Sequence, residues 1–270
     1  MANKTLGIIG AGNIGSSIAT FASKELKDNI SKIILYDINE KKSLALARKI
    51  KIAHVVNNIE KIFEFSDIII ECATPIIVKS LVEMAVKTNK NIMIMSVGGM
   101  LAAMNLLNKA RKKGIKIILP SGAIAGIDGI KSAKEAGIEK SIITTIKPPK
   151  SLENSPYVLK KGIDVYSLKK DSIIFEGNAL QAIKAFPHNI NVSCILAIAG
   201  CGPRKTKVRV VISPNATRNV HEVEIIGKSG IIKTQTTNVP SPDNPKTSYL
   251  ASLSAMAALR EYFDSIKIGT

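Results

Sequence analysis

Short apolar runs alternate with amphipathic stretches through the first 120 residues of the 270-residue chain. The apolar runs are typical of buried strands, and the stretches between them have helical spacing. The pattern predicts strands at Leu6–Ile9, Ile33–Tyr36, Ile68–Glu71, Ile92–Met95 and Ile115–Leu119. It predicts helices at Asn13–Leu26, Glu40–Ile50, Ile76–Thr88 and Ala102–Lys113. Strands and helices that alternate in this way form a doubly wound parallel α/β sheet.

The pattern changes after Pro120, where the small residues of Ser121–Gly126 predict a loop. Beyond it, β-branched runs follow one another and indicate a second α/β domain with a mixed, largely open sheet. Its strands are predicted at Ser141–Ile146, Ser172–Glu176, Thr206–Ile212, Val220–Ile226 and Ile231–Thr236. Two helices are predicted to interrupt it, near Ala179–Phe186 and Val192–Ala199, and a final helix is predicted over Ser248–Phe263. We therefore expect domains over residues 1–120 and 121–246, with residues 247–270 packing back on the first.

Composition excludes several classes of protein. Hydrophobic residues make up 46% of the chain and charged residues 22%, which is typical of a globular protein. No apolar run approaches the roughly 18 residues of a membrane span, and Thr5–Ile9 is predicted as a core strand rather than part of a secretory leader. The three cysteines lack metal-ligand spacing, so we expect no metal site, reduced thiols and a cytoplasmic location.

The formal net charge is +17, and the basic residues are spread along the whole chain. Nucleic-acid-binding proteins usually concentrate theirs on one face or in a tail. We therefore expect a lysine-rich solvated surface that favours anionic small molecules, with neither nucleic acid nor a membrane as partner.

A glycine turn, Gly10-Ala11-Gly12-Asn13-Ile14-Gly15, follows the first predicted strand and opens the first helix. Gly10 permits the tight turn, Gly12 lets a pyrophosphate approach the backbone, and Gly15 allows close packing of helix and strand. The helix N-terminus offers free N–H groups to the phosphates. This context predicts a Rossmann-type dinucleotide site.

Asp37 ends the second predicted strand, where an acid can bind the ribose hydroxyls and favours NAD. Lys41 and Lys42 follow and leave NADP open as the cofactor. Ala73 and Thr74 lie at the end of the strand Ile68–Glu71, where small residues would let a cofactor cross the sheet edge. An ordinary turn with proline at the first helical position explains the same residues.

Three segments of the second half are candidates for chemistry. The Ser121–Gly126 loop either reaches the nicotinamide or is a connector. In Thr217–Glu224, alternation puts His221 with Val223 on the apolar face, so His221 is either a core histidine or a general base. Arg218 either holds a substrate carboxylate or forms a surface ion pair. Asn238–Ser248 is a stiff, proline-rich loop before the last helix, in which Lys246, Thr247 and Ser248 form an anion site or merely cap the helix.

Taken together, these motifs resemble the L-aspartate dehydrogenase family of archaea and bacteria. The segments that carry the resemblance span almost the whole chain: Gly10–Gly15, Ser121–Asp128, Phe186–Val192, Thr217–Glu222 and Asn238–Ser248. Of these, the Thr-Arg-Asn-x-His-Glu and Pro-Ser-Pro-x-Asn-Pro-Lys-Thr-Ser strings are far more specific than the glycine turn.

The resemblance implies oxidation of L-aspartate with NAD or NADP to iminoaspartate, which gives oxaloacetate and ammonia or feeds NAD biosynthesis. It implies that His221 is the catalytic residue and that the amide nitrogen of Ala123 contacts the cofactor. A further cofactor contact is implied at Asn191 or Asn189. The family is usually homodimeric, with the mixed sheet in the interface.

Other functions fit parts of the pattern. A homoserine dehydrogenase would use a Lys/Asp pair, for which Lys131, Lys134 and Asp128 are candidates. A dihydrodipicolinate reductase would show an adjacent histidine pair, which the sequence lacks. A non-catalytic protein that senses a dinucleotide would account for the charge of +17, although no helix-turn-helix pattern or basic tail accompanies it.

Overall fold

The computed structural model describes residues 3–187, 191–242 and 244–270, with residues 244–246 as backbone only. The chain divides into two compact units. Unit 1 comprises Met1–Pro120 and Ser252–Ile266, and unit 2 comprises Ser121–Ala251 and Lys267–Thr270. The functional domains expected over 1–120, 121–246 and 247–270 remain a prediction.

Unit 1 contains a six-stranded sheet. Its strands are β1 (Lys4–Ile9), β2 (Ile30–Tyr36), β3 (Ala53–Val55), β4 (Ile68–Glu71), β5 (Asn91–Ile94) and β6 (Ile117–Ile118). They are all parallel and lie in the order β3-β2-β1-β4-β5-β6. This is the strand order of the Rossmann fold, so the predicted doubly wound sheet is confirmed.

The helices of this part of the chain are α1 (Asn13–Glu25), α2 (Glu40–Ala47), α3 (Ile59–Phe65), α4 (Val78–Thr88) and α5 (Leu107–Lys112). The sequence prediction missed β3 and α3, which have only three and seven residues. It was wrong over the first half of Ala102–Lys113, where the 3-10 helix Met104–Leu106 precedes α5, and it assigned no helix to Val97–Ala102, which is also a 3-10 helix. Residues 97–100 are buried at consecutive positions, so the segment develops no α-helical apolar stripe.

Unit 2 contains a five-stranded mixed sheet. Its strands are β7 (Ile138–Lys147), β8 (Ser172–Asn178), β9 (Thr206–Ile212), β10 (Asn219–Gly227) and β11 (Gly230–Asn238). The order is β11-β10-β7-β9-β8, in which β7 and β9 are parallel and the other pairs are antiparallel. The predicted second α/β fold with a mixed sheet is confirmed.

The helices that follow α5 are α6 (Ile127–Ala136), α7 (Pro156–Lys160), α8 (Ala179–Ala185), α9 (Asn191–Ala199) and α10 (Tyr249–Phe263). The two helices predicted to interrupt the sheet of unit 2 are confirmed as α8 and α9, and the sequence prediction missed α6 and α7. Glycines bound α6 on both sides, at Gly126 and Gly137. The stiff loop expected over Asn238–Ser248 contains a small hairpin of β12 (Pro240–Ser241) and β13 (Asn244–Ser248).

The core of unit 1 lies between the sheet and its helices. Leu6 and Ile8 of β1 belong to the same buried cluster as Ala255 and Leu259 of α10. Burying these aliphatic side chains contributes about 1.5–3 kcal/mol each for the larger ones. Among the described residues, no helix is long and apolar enough to cross a membrane.

Candidate active site

The glycine turn lies at the carboxyl edge of the unit 1 sheet, between the ends of β2 and β4. The Gly10 amide donates to the Tyr36 carbonyl at 2.8 Å, and the Cys72 amide donates to the Ile9 carbonyl at 2.8 Å. Asp37, Gly10 and Cys72 therefore stand side by side at this edge. Ligands of open α/β sheets bind in the crevice outside such an edge.

The three glycines of the turn have different surroundings. Gly10 has φ +101°, and a Cβ there would lie 2.6 Å from the Cys72 carbonyl oxygen. A Cβ on Gly15 would lie 1.9 Å from the Gly10 carbonyl oxygen, so packing of α1 on the turn requires glycine. A Cβ on Gly12 would meet nothing within 4 Å. Gly12 therefore borders open space at the N-terminus of α1, where a pyrophosphate has room.

The first turn of α1 has no acidic residue and no side-chain cap at Gly12, and Asn13 and Ile14 are its first residues. The positive end of the helix dipole is therefore not neutralised by a side chain of its own first turn. Ile14 is half-buried and packs against the core of unit 1. The geometry of an anion-binding helix start is present here.

Asp37 is tied to the glycine turn. Its Oδ2 accepts a hydrogen bond from the Ala11 amide at 2.7 Å, and its Oδ1 accepts one from the Asn39 amide at 2.8 Å. The carboxylate is thus oriented by backbone donors and remains half-buried. Lys41 and Lys42 lie exposed in the first turn of α2.

Glu71 organises the end of β4. The buried carboxylate accepts from the Ala73 amide at 2.8 Å, the Ser96 amide at 2.9 Å and the Ser96 hydroxyl at 2.8 Å. Burial raises the pKa of Glu71 above its ordinary value, although these donors oppose the rise. Because the Ala73 amide bonds to Glu71, it is not available for a cofactor. Ala73 and Thr74 are exposed, and Pro75 begins a 3-10 helix.

Two exposed isoleucines flank the glycine turn, and the sequence interpretation did not include them. Ile38 follows Asp37 and is 94% exposed, and Ile76 follows the end of β4 and is 88% exposed. An apolar side chain at the end of each strand that neighbours β1 offers a surface for a flat ring. The sequence signal was an isoleucine in the turn after each of these strands, directly after Asp37 in one case and directly after Pro75 in the other.

His221 lies on the helix-covered face of the unit 2 sheet. It pairs with Thr145 of β7, and it is only 5% exposed. Val223 and Ile225 are buried on the same face, whereas Glu222 is exposed on the other, as the alternation predicted. The Thr145 hydroxyl and His221 Nδ1 share a hydrogen bond of 3.0 Å. Burial, followed by the positive charge of Lys147, lowers the pKa of His221 to about 3, so the imidazole is neutral near pH 7.

Lys147, the last residue of β7, is a site residue that the sequence interpretation missed. It lies two residues beyond Thr145, which places both side chains on the His221 face. It is 7% exposed, and burial lowers its pKa to about 8. The predicted strand ended at Ile146, so Lys147 received no face assignment.

The Ser121–Gly126 segment is a loop held at the end of the same sheet. The Ala123 carbonyl accepts from the Thr236 hydroxyl at 2.8 Å and from Asn238 Nδ2 at 3.1 Å. The Ala125 carbonyl accepts from the Thr234 hydroxyl at 3.1 Å. Because three side chains of β11 hold two carbonyls, the loop backbone has a defined path on this sheet.

The remaining predicted site residues lie at or near the starts of β10, α9 and α10. Arg218 is exposed just before β10, and Asn191 is the exposed first residue of α9. Thr247 and Ser248 are half-buried at the end of β13, directly before α10. Asn189 and the side chain of Lys246 lie outside the described part of the chain. Within the described part, no group of three metal-ligating side chains occurs.

The residues of the alternative Lys/Asp pair lie on α6. Asp128, Lys131 and Lys134 are all exposed. Asp128 accepts from the Thr270 amide at 2.6 Å, and Lys134 donates to the Ile198 carbonyl at 3.4 Å. The three residues do not form a buried Lys/Asp pair.

A Rossmann unit with an acid at the end of β2, followed by a unit with a buried neutral histidine, is typical of oxidoreductases that use NAD or NADP. Comparisons with known proteins agree with this class. The family model described as aspartate dehydrogenase, C-terminal, matches residues 128–262. The model described as homoserine dehydrogenase, NAD binding domain, matches residues 10–120. The chain belongs to the L-aspartate dehydrogenase family.

Individual relatives support the assignment over the full length. An L-aspartate dehydrogenase of Methanosarcina mazei is 40% identical over 98% of this chain and 99% of its own length. One of Bradyrhizobium diazoefficiens is 35% identical over 97% of this chain and 93% of its own. The crystal structure of aspartate dehydrogenase from Thermotoga maritima aligns with a TM-score of 0.79 at 28% identity, covering 99% of this chain and 100% of that one.

Proposed function

We propose that the protein oxidises L-aspartate with NAD or NADP. Hydride leaves Cα for the dinucleotide, the amine loses a proton, and the Cα=N bond of iminoaspartate forms. Water then adds to that carbon and ammonia leaves, which yields oxaloacetate. The observation that carries the proposal is the buried, neutral His221 in a chain that matches L-aspartate dehydrogenases over its full length.

The residues of unit 1 fit a dinucleotide, which supplies the hydride acceptor when bound. We assign the pyrophosphate to Gly10–Gly15, because open space borders Gly12 and the N-terminus of α1 faces it. We propose that Ile38 and Ile76 cover the adenine, because both are exposed in the turns that follow the two neighbours of β1. Ala123 and either Asn191 or Asn189 are proposed to contact the nicotinamide half, on the strength of family membership.

Asp37 favours NAD over NADP. Its carboxylate is oriented toward the glycine turn by the Ala11 amide, and a 2′-phosphate beside it would be repelled. Lys41 and Lys42 are exposed and near enough in sequence to leave some NADP activity. We expect kcat/KM to be higher with NAD, and we expect Asp37→Ser to narrow the difference.

His221 is suited to move protons in both steps. Nδ1 bonds to Thr145, which leaves Nε2 as the nitrogen for the substrate. A neutral imidazole can accept the proton that the substrate ammonium must lose before hydride leaves. The same nitrogen can then activate the water that hydrolyses the imine.

The substrate carries two carboxylates that need cationic or hydroxyl partners. Arg218, Lys246, Thr247 and Ser248 are proposed as such partners. Arg218 is exposed, and no ion pair involves it within the described part of the chain. We expect Lys246→Ala to raise the KM for aspartate far more than that for NAD, and equal effects would contradict this role.

The decisive experiment follows nicotinamide absorbance at mildly alkaline pH with L-aspartate and NAD or NADP. L-glutamate and the variant His221→Ala are the controls. We expect reduction with aspartate only, and a loss of two to four orders of magnitude in kcat in the variant. Cofactor binding without any turnover of aspartate would contradict the proposal.

Three finer properties also belong to the proposal. We infer a homodimer, which the outer face of the unit 2 sheet could form because Glu224 and Lys233 give it both signs of charge. Sedimentation of the purified chain tests this.

We infer a cytoplasmic location, since Cys72, Cys194 and Cys201 are free thiols. A role in NAD biosynthesis requires that iminoaspartate be captured before hydrolysis, which a coupled assay for quinolinate would detect.

A further inference from the structure

Lys147 is a buried lysine for which the described part of the chain provides no counter-charge. Within residues 3–187, 191–242 and 247–270, whose side chains are described, the ammonium of Lys147 forms no hydrogen bond and no ion pair. The lysines that do form ion pairs in that part of the chain all lie on the surface, with side chains 39–71% exposed. The one lysine that is buried among the described residues is thus also one without an ion pair there.

The groups next to Lys147 on β9 and β10 supply no negative charge to its ammonium. Across β9 its partner is Ile212, and the Ser213 amide donates to the Lys147 backbone carbonyl at 3.0 Å. Toward β10, the neighbouring titratable group is His221, which is neutral and whose protonation Lys147 opposes. The nearest acid along β10, Glu222, points to the other face of the sheet. No described carboxylate is therefore placed to balance the ammonium.

A buried ammonium without a partner destabilises a fold, and an apolar residue of similar volume would be more stable. Such a group is expected where a ligand supplies the missing anion. The proposed reaction has a substrate with two carboxylates, and its proton acceptor is the neighbour of Lys147. Burial of Lys147 therefore costs the fold stability, but it places a cation where a substrate carboxylate could pair with it.

We propose that the ammonium of Lys147 binds one carboxylate of the substrate beside His221. This assignment rests on the proposed oxidation of a dicarboxylic amino acid. Substrate binding then offsets the repulsion between Lys147 and a proton on His221, so the imidazole becomes a stronger base only when an anionic substrate is present. Lys147 would in this way select carboxylates and prepare the proton acceptor at the same time.

Succinate tests the proposal because it has two carboxylates and neither an amine nor a carbonyl to react. Its binding at pH 7 is measured by calorimetry with saturating NADH, in the wild type and in Lys147→Met, Lys147→Arg and Lys140→Met. Lys140 is a matched control, since it lies on the same strand, is half-exposed and pairs with Glu224 on the surface. We expect at least tenfold weaker binding in Lys147→Met, partial recovery in Lys147→Arg and no change in Lys140→Met.

Two results would overturn the proposal. One is succinate binding within twofold of the wild type in a folded Lys147→Met. The other is covalent trapping of oxaloacetate on Lys147 by borohydride, which would make this residue a nucleophile instead. Steady-state kinetics gives a second readout, because loss of a carboxylate partner raises the KM for aspartate and leaves the KM for NAD unchanged. If succinate binds through Lys147 but aspartate is not oxidised, the anion site stands and the proposed function falls.

Discussion

Glu71 and Lys147 are both charged side chains buried at the carboxyl end of a strand, one in each unit, and their surroundings are opposite. Three backbone and hydroxyl donors meet the carboxylate of Glu71. No described partner meets the ammonium of Lys147, which has a pKa lowered to about 8 by burial. The first charge is satisfied by the fold, and the second is left for a ligand.

The two buried charges have different roles, one in holding the structure together and the other in the chemistry of the site. Glu71 joins the end of β4 to Ser96, beyond the end of β5, and so shapes the sheet edge that borders the glycine turn. The side chain of Lys147 has no hydrogen bond within the described residues, and its charge lowers the pKa of the neighbouring His221. Removing the first should therefore destabilise the protein, and removing the second should stabilise it at the expense of function.

The largest effect on stability is expected from Glu71→Ala. The variant leaves three donors unpaired in a buried site and creates a cavity, which costs about 4 kcal/mol of unfolding free energy. Glu71→Gln keeps the volume but turns an amide toward donors, so we expect a loss of about 2 kcal/mol. Urea unfolding measures both, and a change below about 0.5 kcal/mol in either variant would refute the structural role of Glu71.

A stabilising effect of Lys147→Met, of the order of 3 kcal/mol at pH 7, is expected next. The pKa of Lys147 falls from 10.5 in the unfolded chain to about 8 in the fold. Between these values the unfolded state binds more protons, so the wild type gains stability as pH rises from 8 to 10.5. The advantage of the variant should therefore shrink over that range.

Unfolding free energies at pH 7 and pH 10 check this prediction, with Lys140→Met as the control. Cys194, whose pKa is raised to about 12, makes the opposite contribution above pH 9 and is common to all three proteins. The comparison of variant and wild type cancels it. A pH-independent difference would show that Lys147 acts through packing rather than charge.

Much of the first unit could be predicted because its signals are local. The glycine turn lies between a continuous apolar strand and an amphipathic helix, and each of these three patterns supports the other two. The face of the sheet on which His221 lies could also be predicted from a local pattern, because the alternation over Val220–Ile226 has a period of two. Elements of three to seven residues, such as β3 and α3, are too short to show a period.

The roles of Glu71 and Lys147 could not be predicted, for two physical reasons. The partner of Glu71 is Ser96, 25 residues away, and only strand pairing brings the two together. Along β7, Ile142-Ile143 and Thr144-Thr145 give no alternation, so the face of Lys147 depends on its pairing with β9 and β10. Non-local contacts thus decided which buried charge has partners.

Acid sensitivity through His221 is the next smaller effect. Its pKa falls from 6.5 in the unfolded chain to about 3 in the fold, so the unfolded state binds more protons between these values. Stability from this residue is present above pH 6.5 and is lost as pH falls. Between pH 6.5 and pH 5 the wild type should lose about 2 kcal/mol more than His221→Gln. Parallel unfolding profiles of the two proteins over this range would contradict a buried neutral imidazole.

The smallest effects are expected from the exposed isoleucines beside the glycine turn. Ile38→Ala and Ile76→Ala remove side chains that the fold leaves exposed, so unfolding free energies should change by less than about 0.5 kcal/mol. If these side chains cover the adenine, each variant should raise the KM for NAD severalfold, since about 1 kcal/mol of apolar contact is lost. Ile266→Ala, at another exposed isoleucine of unit 1, is the control and should leave this KM unchanged. Equal KM values for NAD in all three variants would show that Ile38 and Ile76 are ordinary surface residues. The contrast between a group that the fold satisfies and a group that needs a ligand would then apply to Glu71 and Lys147 alone.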